Sequence, residues 1–96
     1  MEKPRLTLTT AMVLRMIRDR PGIYGLEIIK QTGYAGGSIY PVLHRLEQAG
    51  WITSTWEHID PSEAGRPPRC HYRLTDRGRM ETEAALAKIR RHHLGE

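Results

Sequence analysis

A single cysteine, Cys70, is present in 96 residues. No internal disulfide can form, which suits a reducing cytoplasm but also many secreted chains. No apolar run approaches the roughly 20 residues that a membrane-spanning helix needs. The opening MEKPRLTLTT has no long apolar core behind its charges, so no secretory signal is expected. Repeats and low-complexity tracts are missing. No glycine-rich phosphate loop stands in a strand–turn–helix context, because Gly36 and Gly37 fall between two helical stretches. No nucleophile, base and orienting group can be assembled, so no catalytic residue is assigned and an enzyme is not expected.

A metal site is not expected, on geometry. His44, His58, His71, His92, His93 and Cys70 are the available soft ligands. Cys70 and His71 are neighbours on a strand and point to opposite faces, so they cannot chelate one ion without distortion. His92 and His93 diverge around a helix. Cys70 reads as a small core hydrophobe, and Glu81 and Glu83 as part of a solvated helix face. No cofactor is expected either.

What the chain has is positive charge and turn chemistry. Fifteen Lys and Arg stand against eleven Asp and Glu, with a pI near 9.6, which favours an anionic partner. The length suffices for one small domain with a single core. Thr9 or Thr10 caps a helix to about Arg20, stopped by Pro21-Gly22. Its apolar residues, Ala11, Met12, Val13, Leu14, Met16 and Ile17, surround most of the helix, and a partner subunit is the natural second cover. A second helix covers Tyr24 to about Thr32, with Leu26 and Ile29 inward and Glu27 and Lys30 outward. Gly33 to Gly37 breaks it. A third helix runs from near Ser38 to Ala49, stopped by Gly50, with Pro41 tolerated in the first turn. Ile39, Val42, Leu43 and Leu46 form its buried face, leaving Ser38, Tyr40, His44, Arg45 and Gln48 outside. Two helices joined by a brief glycine-bearing turn satisfy the helix-turn-helix description.

Residues 51–58 and 69–74 alternate as strands, with Cys70, Tyr72 and Leu74 opposite Arg69, His71 and Arg73. The connection from Ile59 to Pro68 holds three prolines and a glycine. It reads as a stiffened wing with Arg66 and Arg69 at its tip. Thr75 caps a last helix reaching about His93. Met80, Ala84, Ala87 and Leu94 fall on one side of it and Thr82, Leu86 and Ile89 almost opposite, so two seams imply two neighbours.

These residues resemble the PadR family of bacterial winged-helix transcription regulators. The matching phrases are Ser38-Ile39-Tyr40-Pro41-Val42-Leu43-His44-Arg45-Leu46-Glu47, Gly50-Trp51-Ile52, Gly65-Arg66-Pro67, and Tyr72-Arg73-Leu74-Thr75 with Gly78. With Tyr24-Gly25-Leu26 they span about Leu8 to Ile89. The resemblance implies the short family type: an α+β, mainly α, winged helix-turn-helix of three helices plus a β-hairpin wing, with a C-terminal dimerisation helix. It divides the chain into residues 1–74 for DNA binding, of which 1–7 form a flexible basic arm, and residues 75–96 for dimerisation. It further implies a homodimeric repressor on an inverted-repeat operator in double-stranded DNA, cytoplasmic and nucleoid-associated, of bacterial, phage or mobile-element origin. The chain departs from the family pattern in a shorter turn before the third helix and in a last helix without large aromatics, which leaves little room for a small-molecule effector pocket.

Groove geometry assigns the roles. The N-terminal part of the third helix meets base edges in the major groove. The expected DNA contacts are Ser38, Tyr40, His44, Arg45 and Gln48 from the helix, Arg66, Pro67 and Arg69 from the wing, and Lys3 and Arg5 from the arm. Arg45 reads a guanine or touches phosphate, and Tyr40 bonds a phosphate. Glu57, Asp60 and Glu63 belong on the side turned from DNA. The expected dimer contacts are Met12, Met16, Met80, Ala84, Leu86, Ala87 and Ile89. Two other readings share the fold: an architectural or recombination-directionality factor that bends DNA, and a winged-helix module whose exposed face binds protein.

Overall fold

The computed structural model describes residues 4–93, with side chains through Arg91. Lys3 and Leu94, expected in the arm and in a seam, lie outside the described residues, as do the side chains of His92 and His93. Helix α1 spans Leu8–Asp19, and Thr7 caps it by accepting the Thr10 amide at 3.1 Å. The cap lies two or three residues earlier than the threonine pair suggests, and Thr10 is instead buried inside the helix. Strand β1, Ile23–Tyr24, precedes α2, Gly25–Thr32. Gly33, at φ 76°, ends α2 in the left-handed conformation that favours glycine. Helix α3 then runs Gly36–Gln48.

The α3 start corrects the sequence expectation by two residues. Ser38 and Ile39 both donate to the Ala35 carbonyl, so the two glycines belong to the first turn and shorten the break to residues 33–35. Pro41 is consequently not in the first turn but inside the helix, where its ring removes one helical hydrogen bond. Its side is exposed, so water can serve the freed carbonyl.

Strand β2, Ile52–Trp56, pairs antiparallel with β3, Cys70–Leu74, in the register Ile52 to Leu74 and Trp56 to Cys70. Strand β1 adds to the other edge of β3 through Ile23–Tyr72 and Tyr24–His71, giving the order β1-β3-β2. Two residues are too short for alternation to show, which is why β1 is not evident from sequence. Within the β2–β3 connection, Pro61–Ala64 forms a one-turn helix, α4. Asp60 caps it by accepting from the Ser62 amide, and Pro61 occupies its first position. The wing therefore contains a helical turn where an irregular loop is expected.

The core gathers Val13, Leu14 and Ile17 of α1, Ile28 of α2, Ile39, Val42, Leu43 and Leu46 of α3, and Ile23, Trp51, Ile52 and Tyr72 of the sheet region. Leu26, expected inward, is instead exposed, and Ile28 takes the buried position of α2. Helix α5, Asp76–His93, begins at the expected cap: the Thr75 hydroxyl accepts the Gly78 amide at 3.0 Å and donates to the Gly50 carbonyl at 2.7 Å. Gly78 lies so close to the Trp51 carbonyl that a Cβ would overlap it. Only glycine lets α5 approach the turn that ends α3. Thr82 and Ala85 face the core, while Met80 is 74% exposed, so the helix has an inner and an outer face as its two seams require. Among the described residues, no helix is long and apolar enough to cross a membrane.

Candidate nucleic-acid interface

Helix α3 sorts its side chains cleanly. Ile39, Val42, Leu43 and Leu46 are buried, and Ser38, Tyr40, Pro41, His44, Arg45 and Gln48 are all exposed. The side chains of Ser38, His44, Arg45 and Gln48 make no hydrogen bond or ion pair among the described residues, leaving their donors and acceptors facing outward. Glu47, at the end of the same helix, is held by the Ser54 hydroxyl at 2.7 Å, which ties α3 to β2.

Tyr40 has a different setting from its neighbours. Its ring lies over the backbone of Gly25 and Gly36, and a Cβ on Gly25 would sit 2.8 Å from Tyr40 Cε1. The phenol therefore bridges the start of α2 and the start of α3 while remaining 47% exposed. It also forms one wall of a cleft of about 560 Å³ that separates α3 from the base of the wing. Tyr24, Leu26, Trp56, Pro67 and Arg69 line the rest, which is where the exposed faces of Leu26 and Trp56 point.

The wing arginines are folded back, not displayed at the tip. Arg66 grips Glu57 with both terminal nitrogens, at 2.7 and 3.4 Å. Arg69 stacks its guanidinium 4.3 Å from the centre of the Tyr24 ring. Pro67 is exposed beside them. The α4 turn of the wing and its cap carry Asp60, Ser62 and Glu63, all exposed.

Glu57 is the hub of this end. Besides Arg66, it accepts the Arg69 amide at 3.0 Å and approaches His71 Nε2 at 2.7 Å. The Arg66 guanidinium, then His71, hold the Glu57 carboxyl down to about 2. His71 Nδ1 lies 2.6 Å from the Gly22 carbonyl. The Glu57 carboxylate and then the Gly22 carbonyl raise the His71 imidazole above its usual value. Sequence reasoning places Glu57 and His71 outward but misses their pairing. The signal lies in the strand register: continuing Trp56–Cys70 by one residue sets Glu57 opposite Arg69, and the Glu57 amide donates to the Arg69 carbonyl at 3.0 Å.

Of the arm, Arg5 is exposed. Of the expected dimer contacts, Met80 and Ala84 are exposed on the outer face of α5, and Ala87, Leu86, Ile89, Met12 and Met16 are half-buried. Leu8, 58% exposed, extends the uncovered apolar stripe of α1 one turn before Met12. Among the described residues no group of His, Cys, Asp and Glu is arranged to hold a metal ion.

The fold recurs in solved structures. The protein smu.1704 from Streptococcus mutans superposes with a TM-score of 0.78 at 21% identity, over 97% of this chain and 86% of that one. A PadR-like transcription factor from Bacteroides fragilis gives 0.76 at 20% identity, over 93% and 86%. The PcaV transcriptional regulator from Streptomyces coelicolor gives 0.77 at 25% identity, over 91% of this chain and 60% of PcaV. No curated protein sequence matches. Residues 13–84, from the core of α1 through the first half of α5, match the transcriptional regulator PadR-like family. With its helix-turn-helix, wing and matched sequence, the chain belongs to the PadR-like family of winged-helix, DNA-binding transcription regulators.

Proposed function

We propose that two copies of this chain form a homodimer that represses transcription by occupying an inverted-repeat operator. The observation that carries the reading is the split of α3 into four buried apolar residues and an outward face of Ser38, Tyr40, His44, Arg45 and Gln48. A helix buried on one side and open on the other fits the major groove, where donor and acceptor patterns distinguish all four base pairs. Residues 1–74 bind DNA and 75–96 dimerise. Arg45 supplies base or phosphate contact, Tyr40 a hydroxyl for phosphate, and Arg66, Pro67 and Arg69 flank the groove. Lys3 and Arg5 add charge from the arm.

Dimerisation uses the outer face of α5. Met80 at 74% exposure is a large apolar side chain without intramolecular cover, and Ala84 and Ala87 beside it permit close helix approach. Leu86, Ile89, Met12 and Met16, all half-buried in one copy, complete the proposed interface. Half-sites then lie about one helical turn apart, roughly 34–36 Å.

Selection of bound duplexes from random DNA, followed by stoichiometry on the recovered sequence, tests the proposal. A palindrome bound by two chains is the expected result. A single chain protecting one half-site would overturn the dimer. Several adjacent sites with strong bending would point instead to an architectural factor.

A further inference from the structure

The side chain of His71 sits between two groups that can only accept hydrogen bonds. Nδ1 faces the Gly22 carbonyl at 2.6 Å and Nε2 faces the Glu57 carboxylate at 2.7 Å. A neutral imidazole carries one N–H and must leave one of these contacts unmade. The imidazolium satisfies both. Glu57 in turn is shared between His71 on β3 and Arg66 in the wing, with the Arg69 amide as its third donor. The other groups around His71 are the Tyr24 ring, edge-on at 5.9 Å from β1, the Arg69 guanidinium stacked on that ring, and Arg73 two residues along β3.

We infer that Glu57 and His71 are positioning residues for Arg66, and that DNA binding takes up a proton from solvent at His71. The inference rests on the DNA-binding reading of the wing. Arg66 reaches a phosphate only by leaving Glu57. With His71 neutral, that departure leaves a carboxylate, only 18% exposed, with the Arg69 amide and at most one uncharged N–H of His71, and no counter-ion. With His71 protonated at Nε2, the imidazolium takes over as counter-ion, and Arg66 is free to turn outward. Removing Arg66 from Glu57 strengthens the hold of Glu57 on the imidazolium. Reciprocity between the two equilibria then requires DNA affinity to rise as pH falls.

The test is fluorescence anisotropy of the full chain with one labelled duplex recovered from random DNA. Ionic strength is fixed and pH is varied between about 6 and 8.5, the range in which a histidine titrates. Affinity is expected to increase on acidification by up to about tenfold per pH unit for each protomer's proton. His71→Gln, which cannot be protonated, is expected to flatten that slope. Glu57→Gln is expected to flatten it too, while binding more tightly than wild type at the alkaline end because Arg66 is released. A slope unchanged in His71→Gln overturns the inference. Should either variant misfold, the ring resonances of His71 in the wild-type protein give the second readout. Its titration midpoint is expected to rise when the duplex is added, and an unmoved midpoint overturns the proposal. Equal duplex binding at every pH would sink this inference and leave the DNA-binding reading standing. Failure to bind any duplex at any pH would remove both.

Discussion

Helix α3 and the wing both present basic side chains, yet they hold them in opposite ways. On α3, Arg45 and His44 extend outward with no side-chain partner among the described residues. On the wing, Arg66 is clamped by Glu57 and Arg69 is stacked on Tyr24. An unpaired arginine delivers its charge to DNA without first breaking an internal contact. A paired one exchanges one anion for another, so its net contribution is smaller and depends on what happens to the abandoned carboxylate. On the function proposed above, the helix would read and the wing would respond.

The sharpest way to break this contrast is to damage each face of α3 in turn. Leu46 is fully buried, and Leu46→Ala is expected to lower stability by about 2–5 kcal/mol, because the site loses both transfer free energy and packing. Urea unfolding reads this directly. Arg45→Ala is expected to leave stability within about 0.5 kcal/mol of wild type, as an exposed residue should. If Arg45 reads a guanine, the same change weakens binding by about 1–3 kcal/mol and relaxes preference at one operator position. Competition assays with singly mutated duplexes distinguish that outcome from a uniform loss, which would assign Arg45 to phosphate.

The wing answers differently. Arg66→Ala combined with Arg69→Ala is expected to weaken binding to every duplex alike, since bonds to phosphate carry no sequence information. The slope of log K against log salt should become shallower by about 1 for each phosphate that is no longer neutralised. Because Arg66 must leave Glu57 first, its share is expected to be the lesser of the two. An identical salt slope in wild type and double variant would take the wing out of the interface.

The legibility of these two regions in the sequence also differs. The buried face of α3 follows from helical spacing alone, and the structure buries Ile39, Val42, Leu43 and Leu46 as expected. Strand alternation likewise places Tyr72 inward and Arg73 outward. Periodicity carries that information because each residue's direction is set by its own backbone. The helix boundaries are less legible, since Gly36 and Gly37 signal a break locally but adopt helical geometry once Ala35 accepts from Ser38 and Ile39. The wing hub is not legible at all. Glu57, Arg66 and His71 are separated by up to 14 residues, and their meeting depends on strand register and on the α4 turn. Leu26 escapes for a related reason: helical spacing marks it apolar, but the cleft beside Tyr40 leaves it without a neighbour to cover it.

The hub also predicts how stability follows pH, and the signs of its two titrations bound a window. Glu57 titrates at about 2 in the folded chain against an ordinary 4.5, so its stabilising effect is complete above 4.5 and is lost as pH falls toward 2. His71 is raised above its ordinary 6.5, chiefly by Glu57, so its effect is complete below 6.5 and is lost as pH rises through the raised value. Both act fully only between those two ordinary values. Thermal unfolding of wild type across this range is expected to show a shallow maximum there, modest because Glu57, Arg66 and His71 all remain partly solvated. Glu57→Gln removes the carboxylate on which both titrations depend, and should flatten the two shoulders together. His71→Gln should flatten only the alkaline one. Loss of the acidic shoulder in His71→Gln as well would mean that Arg66 does not hold Glu57 without the imidazolium, reversing the order of the partners at this carboxylate.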